Sequence, residues 1–356
     1  MTSPFIIAEA GVNHGGSVEA ALALVDAAAR AGADAVKFQS FRTDLLVRPD
    51  ARQAEYQYRN AAAQSQAAML RPLELSEEAH HRIAKRCAAA GITFLSTAFD
   101  SPSFELLLEL GVPLLKVASG ELTNGPMLLA MARTGLPMIV STGMATLDEV
   151  AEALGIIAIG RAGTDVAPRA DVRADARRRV EADPGLVGDV TLLHCTSSYP
   201  APMEEVNLRA MDTLAERFGL PVGYSDHTEG IAVAIAAVAR GARVIEKHVT
   251  VDRSLPGPDH TASLEPHEFA GLVRAVRSVE DALGSAEKRV TAAEIEVRSV
   301  ARRSLVAGRN LDPAMPIGPG DLVALRPEDG LPPSDLWDWE GRHPSRRYST
   351  GETFSG

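Results

Sequence analysis

Tyr224-Ser225-Asp226-His227-Thr228 and, a short segment later, Val244-Ile245-Glu246-Lys247-His248 decide how this chain is read. Each histidine ends an apolar, strand-like run, Leu220-Pro221-Val222-Gly223 before the first and Ala242-Arg243-Val244-Ile245 before the second. Ile231 to Gly241, between them, is almost entirely Ala, Val and Ile and reads as a buried helix. Strand, helix, strand puts both imidazoles at the same end of neighbouring parallel strands. Two neutral imidazoles converging there can share a divalent metal and leave positions open for substrate. The spacing alone equally allows two unrelated histidines with ordinary partners.

Working outward, the same rhythm repeats. Phe5-Ile6-Ile7-Ala8-Glu9-Ala10-Gly11 is a strand ending near a carboxylate, followed by a helix from Ser17 to Ala31 that Gly32 closes. Ala35 to Gln39, Ile92 to Thr97, Leu114 to Ser119, Met138 to Thr142 and Val190 to Cys195 are further strands. The intervening helices read as Ser76 to Ala90, Pro102 to Leu110, Met127 to Thr134 and one starting near Thr146. Eight alternating units in about 270 residues fit a (β/α)8 TIM barrel, and no Gly-x-Gly-x-x-Gly follows the first strand to suggest an open dinucleotide-binding sheet. Three stretches break the rhythm. Thr43 to Pro72 is long and polar. Arg161 to Asp189 is rich in Arg, Asp and Ala and reads as a solvated insertion with a short charged helix around Ala174 to Ala182. After a helix from Glu265 to Leu283 and another from Ala292 to Val300, the texture changes to short β-like runs between Pro and Gly turns. The expected domains are therefore a barrel over 1–285, a linker helix over 286–300 and a small β-rich domain over 301–356.

Composition narrows the function. A 46% hydrophobic but only 4% aromatic chain has the Ala/Leu/Val core of an α/β protein. A formal charge of −11 argues against nucleic-acid or anionic-membrane partners, so an anionic substrate needs a local cluster of donors. Cys87 and Cys195 as the sole cysteines suit a reducing compartment, and the N-terminus lacks a signal-peptide pattern, so the expected localisation is cytoplasmic.

In a barrel the chemistry gathers where the strands end. Glu9, Lys37, Gln39, Thr97, Lys116, Ser119, Ser141, Thr142, Thr196, Ser197, Ser225, His227 and His248 stand there. Lys37 and Lys116 with the hydroxyls of Thr97, Ser119 and Ser141, and the Ser141-Thr142-Gly143 turn opening a helix, make an anion cradle. Two inward lysines in a barrel require an anion or carboxylate partner, and Glu9 is one such partner and a general acid or base. Asp259, in Gly257-Pro258-Asp259-His260, offers a further carboxylate to a polyol. Two metal-binding imidazoles, a phosphate cradle and a carboxylate suit addition of a phosphorylated carbon nucleophile to a metal-polarised carbonyl. A metal hydrolase on the same barrel would want more ligands, such as a His-x-His on the first strand. A non-catalytic carbohydrate- or ice-binding protein would not need the lysines and histidines.

Ile7-Ala8-Glu9-Ala10-Gly11-Val12-Asn13-His14-Gly15-Gly16, Val36-Lys37-Phe38-Gln39, Lys116-Val117-Ala118-Ser119-Gly120-Glu121, Ser141-Thr142-Gly143-Met144, His194-Cys195-Thr196, Tyr199-Pro200 and the two histidine motifs together resemble the sialic acid synthase family. Those enzymes condense phosphoenolpyruvate with an N-acetylated hexosamine aldehyde to make nonulosonic acids. The tail, with Ile317-Gly318-Pro319-Gly320-Asp321 and Leu325-Arg326-Pro327, is similar to the family's antifreeze-like (SAF) domain. The resemblance implies His227 and His248 as ligands of a divalent metal, Mn2+ first and Mg2+ or Co2+ as alternatives. It implies phosphoenolpyruvate contacts from Lys37, Thr97, Lys116, Ser119, Ser141 and Ser225. At Ser197, relatives often carry Asn, so this contact is a departure. Gln39, Tyr199 and Asp259 match residues that hold the sugar, and Glu9 a catalytic carboxylate. Arg326 matches an arginine that the small domain of one subunit inserts into the barrel of the other, which implies a domain-swapped homodimer. The acceptor stays open among N-acetylmannosamine, a 2,4-diacetamido-trideoxyhexose of legionaminic type and its pseudaminic-type isomer. Ser119-Gly120-Glu121 leans toward the sialic or legionaminic branch, and the Thr43–Pro72 loop is expected to line the sugar pocket.

Overall fold

The computed structural model describes residues 3–164 and 166–356. The chain divides into two compact units, one ending at Gly284 and one spanning Ser285–Gly356.

The first unit is a closed barrel of eight parallel strands in sequential order. They are β1 (Phe5–Gly11), β2 (Ala35–Ser40), β3 (Thr93–Ala98), β4 (Leu115–Val117), β5 (Met138–Ser141), β6 (Val190–Cys195), β7 (Val222–Asp226) and β8 (Val244–His248). β1 closes the ring by pairing with β8, so that Glu9 stands in register with His248 on one side and Lys37 on the other. β4 is shorter than expected: Ser119 lies beyond it, in a 3-10 turn over Ser119–Glu121.

Period-two alternation sorts the side chains. Ile6, Ala8, Val36, Phe38, Val117, Val140, Leu192, Tyr224 and Ile245 face the helices and form the main apolar layer. Ile7, Ala35, Leu95, Ile139, Leu193 and Val244 fill the barrel interior as a separate buried cluster. One step further along each strand, the inward positions turn polar, and that change floors the site. Gly223 is required at the interior level, because a Cβ there would overlap the Val244 carbonyl oxygen and lie 2.7 Å from Leu193 Cδ2.

Local signals set the helices. Ser17, Ser76, Asp100 and Thr146 each accept a hydrogen bond from the backbone at a helix start, at Val18–Ala31, Glu77–Ala90, Ser101–Glu109 and Leu147–Arg161 respectively. Gly32 and Gly91 take left-handed geometry at the ends of the first two. The helix Ala232–Ala239 joins β7 to β8 and buries Val233, Ala234, Ala237 and Val238.

Two expectations change. The Arg161–Asp189 stretch is not merely solvated. Its helix runs over Ala170–Ala182, buries Ala176 and Val180, and pairs Arg173 with Glu152 and Arg177 with Asp148 on the helix Leu147–Arg161. Gly155 permits this docking, since its missing Cβ would lie 3.2 Å from Arg177 Cγ. The polar Thr43–Pro72 stretch is also ordered, with short helices over Thr43–Leu46, Glu55–Asn60 and Gln66–Leu70.

The second unit contains the helix Ala292–Ala301, expected as a linker, and an antiparallel pair of β9 (Ser304–Ala307) and β10 (Leu322–Leu325). Leu305, Ala307, Leu311, Ile317, Leu322, Tyr348 and Phe354 form its core. Arg326 is exposed just past β10.

Candidate active site

A cavity of about 350 Å³ opens at the C-terminal end of the barrel strands. Its floor is a buried chain of charges. Lys37 Nζ lies 2.6 Å from Glu9 Oε2 and 3.6 Å from Glu246 Oε2, and Lys116 Nζ lies 3.8 Å from Glu246 Oε1. All four side chains are at most 5% exposed. Two ammonium and two carboxyl groups in one apolar shell can be ionised together because each has an opposite charge within reach. Burial pushes the Glu9 carboxyl up to about 7, against the opposing pull of Lys37, and the nearby Glu246 charge pushes it further. Burial also acts on Glu246, but Lys116, Lys37 and a hydrogen bond from Ser225 at 2.9 Å outweigh it and hold this carboxyl low, at about 2. Burial depresses Lys116, whereas on Lys37 the same effect is overcome by its two carboxylates and its pKa is raised. Glu246 is therefore a fixed anion, and Glu9 is the group able to hold or release a proton near neutrality.

Lys37 Nζ also donates to Thr97 Oγ1 at 3.2 Å, and Lys116 Nζ to Ser141 Oγ at 2.6 Å. Beside them Gly143 N donates to Ser119 Oγ at 3.0 Å, and Ser119 Oγ touches Cys195 Sγ at 3.2 Å. A Cβ on Gly143 would overlap Ser197 Oγ and lie 2.8 Å from Ser119 Oγ and 2.9 Å from Cys195 Sγ. Glycine thus leaves a small cup walled by two hydroxyls, a thiol and a backbone N–H, next to the Lys116 ammonium.

The two imidazoles meet at the ends of the neighbouring strands β7 and β8, beside this cup. His227 and His248 have ring centroids 5.4 Å apart. His227 Nδ1 is 2.7 Å from the Thr196 carbonyl, so that nitrogen carries the hydrogen and Nε2 keeps its lone pair, 3.4 Å from Ser225 Oγ. Burial lowers His227 to about 4 and His248 well below its ordinary value, so both rings are neutral. His248 Nδ1 is buried with no hydrogen-bond partner, its nearest carboxylate being Asp259 Oδ2 at 3.8 Å. Two neutral, buried imidazoles, one with an unsatisfied nitrogen, are a donor set suited to a divalent cation. Among the described residues no group of three His, Cys, Asp or Glu side chains is placed to hold a metal, so further ligands would come from water or substrate.

The remaining wall is polar. Gln39 Nε2 donates to Glu9 Oε1 at 3.2 Å, and both converge with Asp259 on Gly11, whose missing Cβ would lie 3.2–3.4 Å from all three. Burial raises the Asp259 carboxyl to about 6. The Tyr199 ring packs 4.1 Å from His227 and 5.0 Å from Tyr56, centroid to centroid.

Thirteen of the residues expected in the barrel site therefore line one cavity: Glu9, Lys37, Gln39, Thr97, Lys116, Ser119, Ser141, Ser197, Tyr199, Ser225, His227, His248 and Asp259. Thr142 and Thr196 do not. Thr142 Oγ1 donates to the Leu193 carbonyl and Thr196 Oγ1 to the Glu205 carbonyl, and Thr196 serves the site through its own carbonyl. Arg326 stands in the second unit. Glu246 carries the largest unassigned role. Strand alternation had the signal: Val244, Glu246 and His248 share one face, so an inward His248 makes Glu246 inward too. Tyr56, Gln57, Gln66 and Met69 also line the cavity, from the Thr43–Pro72 segment.

A TIM barrel with a buried carboxylate–ammonium floor, two neutral imidazoles and a cluster of hydroxyls at its strand ends is the architecture of an enzyme. The NeuB family model matches residues 24–288, and the chain belongs to that family. It is 46% identical to the N,N'-diacetyllegionaminic acid synthase of Legionella pneumophila over 353 residues, covering 98% of this chain and 93% of that protein. The Campylobacter jejuni protein of the same name is 40% identical, with 99% of each chain covered. Among solved structures, the N-acetylneuraminic acid synthetase of Leptospira borgpetersenii, in complex with citrate, superposes with a TM-score of 0.68 at 34% identity, covering 83% of this chain and 90% of that one.

Proposed function

We propose that this chain condenses phosphoenolpyruvate with an N-acylated amino-sugar aldehyde to give a nonulosonic acid and phosphate. The favoured acceptor is a 2,4-diacetamido-trideoxyhexose, in line with the two relatives named for the legionaminic product. The observation that carries the reading is the pairing, in one cavity, of buried Lys37 and Lys116 with a hydroxyl-lined cup and two neutral imidazoles.

Lys116, Ser119, Ser141, Ser197 and Ser225 suit the phosphate, and Lys37 with Thr97 suits the carboxylate. Holding the ester there, in the same cavity as the imidazoles, positions its C3 for attack, and such positioning is worth several kcal/mol, on the order of 7–11 at best. C3 forms the new bond to the aldehyde carbon as the carbonyl π bond breaks and its oxygen takes up a proton, water adds at the resulting electron-poor C2 and loses a proton, and the tetrahedral intermediate expels phosphate with its bridging oxygen by C–O cleavage, its remaining hydroxyl proton leaving as the C2 carbonyl forms. Glu9, which titrates near neutrality, holds or takes the proton of the attacking water, while Glu246 stays ionised and keeps Lys37 and Lys116 charged and placed. Gln39, Tyr199 and Asp259 orient the acceptor. His227 and His248 are the residues that would hold a divalent cation, Mn2+ foremost, and such an ion supplies Lewis acidity to a carbonyl oxygen. The reading includes a homodimer in which Arg326 reaches the acceptor of the other copy.

The test is product formation by the full chain from phosphoenolpyruvate and a panel of N-acetylmannosamine and the legionaminic- and pseudaminic-type diacetamido sugars, followed by mass spectrometry and phosphate release. Phosphoenolpyruvate-dependent product is expected, abolished by EDTA and restored by Mn2+. No product with any acceptor would overturn the reading, and full turnover by verified metal-free enzyme would remove the cation. Oxygen-18 in the bridging position is expected in phosphate; label retained in the sugar acid would rule out C–O cleavage.

A further inference from the structure

The wall that the Thr43–Pro72 segment contributes has no task in the chemistry above. It is ordered by two staples. Gln53 Nε2 donates to the Ala61 carbonyl at 2.7 Å and contacts Met69 Sδ at 3.1 Å, while its Oε1 accepts from Ala63 N at 2.9 Å. Asn60 Nδ2 reaches the Pro258 carbonyl and Thr261 Oγ1, both at 3.0 Å, and so ties the segment to the loop that carries Asp259. The wall therefore stands on the acceptor side of the cavity, beside Asp259 and, through Tyr56, against Tyr199.

Two primary amides on it, Gln57 and Gln66, line the cavity and are half-buried. Gln57 Oε1 accepts from Ala54 N at 2.9 Å and lies 3.4 Å from Gln66 Nε2. Among the described residues the Gln57 Nε2 amide has the Tyr56 hydroxyl as its one polar neighbour, which leaves at least one of its two N–H groups over. Gln66 Oε1 has no hydrogen-bond partner among the described residues. A spare donor beside a spare acceptor is the complement of a secondary amide, which presents a C=O and an N–H together. Val12, Met69, Leu70 and Phe99 give the cavity an apolar lining as well. That lining suits an acyl methyl or a deoxy-sugar methyl and gives a hydroxyl no partner.

We propose that Gln57 and Gln66 form a subsite for a second N-acyl group on the acceptor, and so select a diacylated deoxy amino sugar over a monoacylated hexosamine. This rests on the condensation reading given above. Its test compares kcat/KM for 2,4-diacetamido-2,4,6-trideoxymannose and N-acetylmannosamine, with phosphoenolpyruvate and Mn2+ saturating, on the full chain. The wild type is expected to favour the diacylated sugar by about 100-fold or more, because the unfilled amides are left without partners by the other. Gln57→Leu and Gln66→Leu are each expected to lower that ratio about tenfold, chiefly through acceptor KM, as loss of one neutral hydrogen bond implies. The KM for phosphoenolpyruvate reports whether the barrel is intact; should the leucine variants not fold, Gln57→Asn and Gln66→Asn are read the same way. An unchanged ratio in both variants, or a wild type that prefers the monoacylated sugar, overturns the subsite. A wild type that makes no phosphoenolpyruvate-dependent product from any amino sugar instead overturns the parent reading, and the subsite with it.

Discussion

Replacing Lys247 by Met tests how the two histidine-bearing strands are held in place. Lys247 and Asp226 are paired in register across β7 and β8, one residue before His248 and His227. Alternation turns both away from the cavity, between barrel and helices, where Lys247 Nζ lies 3.0 Å from Asp226 Oδ2 and both side chains are wholly inaccessible. Lys247 Nζ also donates to the Thr228 carbonyl, and Asp226 Oδ1 accepts from Thr228 N at 2.9 Å and Thr228 Oγ1 at 2.7 Å. At this distance the Coulomb attraction is roughly 5 kcal/mol at an effective dielectric of about 20, largely offset by the cost of taking both charges out of water. Removing one partner keeps the cost of burying the other and loses the attraction. Lys247→Met, which retains most of the apolar stem, should therefore destabilise the barrel by about 3–5 kcal/mol. In thermal unfolding that is a fall on the order of 6–20 °C, at about 2–4 °C per kcal/mol for a unit of this size. Asp226→Asn combined with Lys247→Met removes the stranded charge while the Asn oxygen can still accept from Thr228. The double variant should recover about half of the loss, a coupling that a double-mutant cycle reads directly. A single-variant loss under about 1 kcal/mol, or a double variant no more stable than the single, would refute a buried, mutually dependent ion pair.

Gly143→Ala should raise the KM for phosphoenolpyruvate by about tenfold or more, since Ser119, Ser197 and Cys195 must shift to admit the methyl group. The new Cβ fills the cup between Ser119, Ser197 and Cys195. An unchanged KM would mean that the cup does not hold phosphate. Glu9→Gln keeps the side-chain shape but cannot exchange a proton, so kcat should fall by about 10²–10⁴ with the KM for phosphoenolpyruvate little altered. A loss below about threefold would remove Glu9 from the proton step. Acid should destabilise the barrel through its buried histidines. His14 is 2% exposed, its Nδ1 accepts from Gly16 N at 3.0 Å, and burial lowers its pKa from 6.5 to about 4. The unfolded chain takes up the proton first, so the stabilisation is complete above about 6.5 and disappears as pH falls through about 4. The urea midpoint should therefore drop between pH 7 and 4, less steeply in His14→Gln; identical slopes would exclude His14.

Much of the architecture is written locally. The capping residues Ser17, Ser76, Asp100 and Thr146, and the apolar runs between them, specify eight strands and most of their helices within a residue or two. Alternation then dictates which residue of each strand faces the axis, and thirteen barrel site residues expected from strand ends, turns and motif resemblance do line one cavity. What escaped was set by contacts between distant segments. The Ala170–Ala182 helix looked solvated because its apolar face is narrow, yet Gly155 and two arginine–carboxylate pairs seat it on a neighbour.

The sequence by itself determined the barrel, the strand ends that bear the chemistry and the sorting of inward from outward side chains, because these follow from local propensity and a period of two. Only the tertiary structure decided the protonation of the site and the shape of the wall that the Thr43–Pro72 segment gives it. Whether Glu9 or Glu246 keeps a proton depends on which ammonium groups lie within a few ångströms from other strands. Whether Gln57 and Gln66 face a ligand depends on Gln53 and Asn60 folding a polar segment back over the barrel mouth. Distances between groups far apart in the chain carry that information, and no residue pattern in one segment records it.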